Sequence, residues 1–138
     1  MSVGFSLSIW STSEKSCELV VIFMDRNEVF IWAANTYGTT PDYPWNDNNA
    51  VLRHKGSGKW YGVVLKVSER KLGIDGDRTI DLLNLKCDPI LIGSLRLQKG
   101  FFPAYHMNKD RWISILLDGT VTAEEIKSLM EMSFNLTI

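Results

Sequence analysis

The sequence predicts an α+β fold, one antiparallel β-sheet flanked by helices in a single domain. Three observations predict it. Helix-start chemistry recurs at three separated points: Asp25 with Glu28, Asp88 with Pro89, and Thr122 with Glu125. Between them lie runs of period-two apolar alternation, divided by turn residues such as His54-Lys55-Gly56-Ser57-Gly58 and Asp75-Gly76. The 138 residues, 45% apolar and 22% charged, suit one ordinary domain and exclude a disordered chain.

Residues 1–23 are serine-rich and read as a polar N-terminal extension, with the run Leu19-Val20-Val21-Ile22-Phe23 available as one added strand. The domain proper is expected over 24–138. Asp25 and Glu28 stand three apart as N-cap and reciprocal partner; Phe30, Ala33, Ala34 and Tyr37 follow at helical spacing, and Gly38 supplies a C-cap. This predicts a helix over 26–37. Pro41, Pro44 and three asparagines make 39–49 a loop. Strands are expected at 51–54 and 59–67, on either side of the glycine-containing turn. In the second, strict alternation puts Tyr61, Val63, Leu65 and Val67 on one face and Trp60, Gly62, Val64 and Lys66 on the other.

A polar connection at 68–78 leads to a strand over 79–87, with Leu83, Leu85 and Cys87 sharing a face. Asp88-Pro89 opens a short helix that should end near Gln98, and 100–108 reads as a loop holding Pro103. A strand over 112–117 turns Ile113, Ile115 and Leu117 inward. Thr122 then caps a final helix that carries Ile126, Leu129, Met130 and Phe134.

Several chemistries are excluded at this level. The longest strongly apolar stretch, 19–24, is six residues, against the ~20 that a membrane-spanning helix needs. No Lys or Arg precedes Lys15, so no secretory n-region is seen, and a cytoplasmic protein with reduced Cys17 and Cys87 is expected. Gly56-Ser57-Gly58-Lys59 has Arg53 where a phosphate loop needs its first glycine and Trp60 where it needs Ser or Thr. His54, His106 and Cys87 have no ligand spacing, so neither a metal nor a cofactor is expected. No nucleophile signature or paired acid and base appears, and the expectation is a non-enzyme.

The charges balance at net −1, but they are unevenly placed. Residues 52–71 carry Arg53, Lys55, Lys59, Lys66, Arg70 and Lys71 against Glu69, and 96–112 carry Arg96, Lys99, Lys109 and Arg111 against Asp110. Such asymmetry can build a positive face on a neutral molecule. Lys109 and Arg111, flanking Asp110 at the entry of the 112–117 strand, should share one side of it. Aromatics interleave with the basic residues at Lys59-Trp60-Tyr61, Tyr105-His106 and Arg111-Trp112. Two uses follow: a platform for nucleic acid, or a groove near Trp60, Lys86, His106 and Trp112 for a protein or small molecule.

The ordered blocks Tyr37-Gly38-Thr39-Thr40-Pro41-Asp42-Tyr43-Pro44-Trp45, Arg53-His54-Lys55, Gly58-Lys59-Trp60-Tyr61, Asn84-Leu85-Lys86-Cys87-Asp88-Pro89 and Tyr105-His106-Met107-Asn108-Lys109 resemble the MmcQ/YjbR family of small bacterial proteins. The resemblance implies a frataxin-like, double-wing arrangement, with the turns at 55–58 and 68–78 as the wings. It also implies a proposed DNA-binding role with no assigned activity. The leading expectation is therefore weak, sequence-tolerant DNA binding through Arg53, Lys55, Lys59, Lys66, Arg70, Lys71, Lys109 and Arg111, contacting phosphates rather than bases. The alternative is the aromatic groove, without catalysis.

Overall fold

The computed structural model describes residues 6–13 and 16–138, with side chains from Met24 onward. Strands β1 (Ser6–Ser13) and β2 (Ser16–Phe23) pair antiparallel as a two-stranded sheet of their own. The serine-rich part of the extension, where no strand was expected, thus forms one, and the apolar run 19–23 pairs with it rather than joining the main sheet. Residues 1–5 and 14–15 of that predicted extension lie outside the described residues, as does the side chain of Cys17.

Helix α1 (Arg26–Tyr37) begins as its sequence requires. The Asp25 carboxylate accepts from the Glu28 amide at 2.9 Å, and the Glu28 carboxylate accepts from the Asp25 amide at 3.3 Å. Gly38 closes it with φ +70°, a left-handed conformation that glycine enters without a Cβ penalty. Strands β3 (Ala50–Arg53), β4 (Trp60–Ser68) and β5 (Thr79–Lys86) follow. Then come α2 (Pro89–Leu95), β6 (Phe101–Pro103), β7 (Trp112–Leu116) and α3 (Ala123–Leu136). The five strands form one antiparallel sheet in the order β3-β4-β5-β7-β6. The α+β class is therefore as expected.

Three local readings need correction. Helix α2 stops at Leu95, short of Gln98. The 100–108 loop contains β6, because Phe101 to Pro103 pair with β7 at the sheet edge; proline is tolerated there since no further strand needs its missing N–H. The third correction is the most consequential. Leu52 pairs with Gly62 but Arg53 pairs with Trp60, so Tyr61 is the extra residue of a β-bulge. The alternation of β4 breaks there. Tyr61 and Gly62 belong with Val64 on one face, and Trp60 joins Val63, Leu65 and Val67 on the other. Gly62 makes room for this: a Cβ on it would lie 3.3 Å from a Leu52 methyl.

The three helices all pack on one face. Val29 and Ala33 of α1, Ile92 and Leu95 of α2, and Ile126 and Met130 of α3 close over Leu52, Tyr61, Val64, Leu83, Leu85, Ile113 and Ile115. Cys87 is sealed in this inner core, its thiol pushed up chiefly by burial. The bulged Tyr61 enters an aromatic cluster in which Tyr37 stacks on Phe134 at 3.9 Å, with His54 4.1 Å from the same Phe134 ring. The opposite face of the sheet carries no α-helix among the described residues, only the Leu72 side chain of a single 3-10 turn (Glu69–Leu72) at its margin.

Candidate functional site

That outer face is apolar. Val51, Val63, Leu65, Val67, Leu82 and Leu116 form its floor, and Trp60, Leu72, Phe102, Tyr105 and Met107 pack at the margins. It is covered by loops, and side chains hold each one in place. Before β3, the Asn49 side-chain oxygen accepts from the Lys66 amide at 2.9 Å, extending the ladder beyond the strand. The Asn49 amide donates to the Asp47 carboxylate at 2.8 Å, which folds the loop back on itself.

The loop before β7 is held by two polar residues in an apolar sheet. Asn84 and Ser114 are cross-strand partners on β5 and β7, fully buried on the outer side. The Asn84 amide donates to the Tyr105 carbonyl at 2.9 Å, the Tyr105 amide donates to the Ser114 hydroxyl at 2.9 Å, and that hydroxyl donates to Asn84. Both backbone groups of Tyr105 are thereby satisfied by the sheet, as burial demands. The chain then turns through His106 at φ +61°, which brings its ring to 4.0 Å from that of Tyr105. Lys109 folds back to donate to the Ala104 carbonyl at 2.9 Å.

Between the two loops opens a cavity of about 470 Å³. Trp45, Trp60, His106 and Met107 form its walls, Val63 and Leu65 its floor, and Asp47 and Asn49 its polar rim. Trp45 meets Trp60 edge to face at 5.8 Å. The Arg53 guanidinium stands 5.5 Å from the Trp60 ring and donates to Asp42 at 2.9 Å, so a cation–π contact fixes the indole. The cavity falls within the size range of small-molecule sites. It continues past Asn49, Leu65 and His106 into a 220 Å³ pocket bordered by Ser68 and Lys71. From there it passes Lys71 and Tyr105 to a 250 Å³ pocket ending at Lys109. The three form one groove across the outer face.

The sequence-derived site residues divide unevenly over this geometry. Trp60 and His106 line the main cavity, whereas Lys86 and Trp112 are cross-strand partners at the ends of β5 and β7 and do not line it. Of the basic set, Arg53 pairs with Asp42, Lys66 with Asp81 at 3.3 Å, and Arg70 with Asp77. Lys55 lies against the capped end of α1, its ammonium 3.0 Å from where a Cβ on Gly38 would be. Lys109 and Arg111 are in a turn ahead of β7, not in its entry, so strand alternation does not place them on a common side. The turns at 55–58 and 68–78 flank β4 at opposite ends, roughly 27 Å apart at about 3.4 Å per residue. Lys66 and Lys71 line the second pocket, and Lys71 and Lys109 the third, at the far end of the groove.

Trp45 and Met107 are not among the predicted site residues, Tyr105 enters the sequence reading only as an aromatic beside His106, and the pairing of Asn84 with Ser114 that positions the loop is not foreseen there. A signal existed for some of them. Trp45 stands between Pro44 and Asn46 in a polar loop, where a large apolar side chain has no local core to fill, and Asn84 and Ser114 interrupt strongly apolar strands.

This arrangement can be set beside known proteins. The family model YjbR matches residues 34–136. The chain belongs to the YjbR family. It is 47% identical over 116 residues to the uncharacterized protein YyaQ of Bacillus subtilis, covering 83% of this chain and 98% of that one. A crystal structure of a protein from Pseudomonas syringae superposes with a TM-score of 0.81 at 45% identity, over 83% of this chain and 100% of the other. The Deinococcus radiodurans protein DR2400 gives a TM-score of 0.62 at 26% identity, over 80% and 75% of the two chains. Among the described residues, no three His, Cys, Asp or Glu side chains group as metal ligands, and no helix is long and apolar enough to cross a membrane.

Proposed function

We propose that this YjbR protein is a cytoplasmic, non-catalytic binding module that takes a small molecule into the groove on the outer face of its sheet. One observation carries the reading: a cavity of about 470 Å³ walled by Trp60 of β4, Trp45, and a His106–Met107 loop that the buried Asn84–Ser114 pair clamps to the sheet. Preorganised walls lower the ordering cost of binding. A loop free to collapse onto Val63 and Leu65 would have closed the space. The basic residues support a nucleic-acid platform less well. Three are engaged in ion pairs, and the two candidate wings stand at opposite ends of β4.

The test is titration of the ¹⁵N-labelled protein with N-phenyl-1-naphthylamine, an uncharged flat apolar probe, alongside duplex DNA at two salt concentrations. The probe should shift the indole N–H resonances of Trp45 and Trp60, and Trp60→Ala should abolish saturable binding. Absence of binding by the wild type overturns the reading. Should duplex instead shift Lys55, Lys59 and Arg111 with a steep salt dependence, leaving the indoles unmoved, the nucleic-acid reading replaces it.

A further inference from the structure

Resting on that reading, we infer that the ligand is an organic anion: a flat, ring-containing apolar body carrying one carboxylate, phosphate or sulfonate group. The groove is chemically polarised along its length. At one end two tryptophans, Met107 and the aliphatic floor offer surface that favours an apolar ring, with Asp47 at the rim already engaged by the Asn49 amide. Beyond His106 the character changes. Lys71, which makes no ion pair among the described residues, borders both the second and third pockets; Lys66, held by Asp81, also borders the second, and Lys109 the third. No carboxylate lines either of them among the described residues.

Five of the cations are neutralised locally. Arg26 and Lys66 share Asp81, Arg53 meets Asp42, Arg70 meets Asp77, and Arg78 meets Glu69. Lys71 has no such partner among the described residues and lies beside an apolar cleft, as does Lys109, whose ammonium gives one donor to Ala104 and keeps two. Charge complementarity then selects an anion over a neutral or cationic ligand, because an ammonium strengthens a hydrogen bond to an ionised acceptor. The cavity volume limits the body to one small molecule. A protein partner would need a face several times larger.

The experiment compares two fluorescent probes that share a ring system and differ by one charge. 8-Anilinonaphthalene-1-sulfonate should bind the folded wild type about tenfold or more tightly than N-phenyl-1-naphthylamine, the return expected from a charge-assisted bond. Lys71→Met should erase that preference while leaving the neutral probe unchanged. Lys109→Met should reduce it. Lys59→Met, an equally exposed lysine on the distant turn, should do nothing. Inorganic phosphate alone should displace the sulfonate probe far less well than 1-naphthyl phosphate or 1-naphthoate. Equal affinity for the two probes, or an equal loss in Lys59→Met, overturns the anion inference while the groove reading stands. Failure of the neutral probe to bind at all overturns the groove reading itself.

Discussion

The inner and outer faces of the five-stranded sheet are built by the same strands and end in opposite conditions. On the inner face, strand residues and residues of all three helices form one buried apolar core. On the outer face, equally apolar residues meet only loops, and a buried polar pair takes the place that a helix would fill. Helices cover a sheet with their own backbone groups already bonded. A loop must have its backbone satisfied from outside, so it needs polar anchors and leaves gaps between them. The difference shows how a two-layer domain can hold a rigid core and an open groove on opposite sides of one sheet.

The largest expected effect is on the inner side. Ile115→Ala should destabilise the fold by about 2–5 kcal/mol, the range for deleting a fully buried aliphatic chain, as read by denaturant unfolding. Comparable stability of the variant and the wild type would show the inner core to be looser than its packing implies. On the outer side, Asn84→Ala leaves the Tyr105 carbonyl without its buried donor and should cost about 1–3 kcal/mol. Hydrogen exchange at the Tyr105 amide should rise well before global unfolding. If that amide stays as protected as those of β5, the loop is held by something other than this pair.

Tyr37→Phe should act in the other direction. The Tyr37 hydroxyl is buried with no hydrogen-bond partner among the described residues, so its removal should stabilise by about 1 kcal/mol. Burial first, then the Glu131 carboxylate, pushes this phenol up to about 12. A raised phenol favours the folded state in its neutral form. Its contribution is therefore complete below pH 10 and lost as the pH rises from 10 towards 12. The variant should show a flatter alkaline limb in a Tm-against-pH profile.

A smaller effect is expected at the acid end, at the edge between the two faces. Glu69 accepts from the Arg78 side chain at 2.8 and 3.1 Å and from its amide at 3.2 Å, and these bonds hold its carboxyl below the ordinary value of 4.5. A lowered carboxyl stabilises above that value and ceases to do so as the pH falls through it. Glu69→Gln should lie below the wild type in Tm at pH 7, and the gap should close as the pH falls below 4.5. A constant gap across that range would place the contribution outside ionisation. Smallest of all in stability is Trp45→Ala: the indole is 46% exposed, and its loss should change stability by less than about 0.5 kcal/mol while removing apolar probe binding. A large stability loss instead would make Trp45 part of a core and erase the contrast between the faces.

Much of the frame was legible in the residues because the interactions that set it are short in sequence. The Asp25–Glu28 box, the Asp88-Pro89 start, the Thr122 hydroxyl that accepts from the Glu125 amide, and Gly38 all act within four positions. Period-two alternation likewise placed Leu83, Leu85, Ile113 and Ile115 together without reference to any partner. Tertiary structure alone decided the rest. The bulge that turns Tyr61 inward and Trp60 outward depends on how β3 registers against β4, and β6 becomes a strand only because β7 is there to pair with it. The groove is the clearest case. It exists because Asn84, 21 residues from Tyr105 and 30 from Ser114, meets both once the sheet has formed. Partners at such separations are chosen by chain topology, and no local preference of the residues between them carries that information.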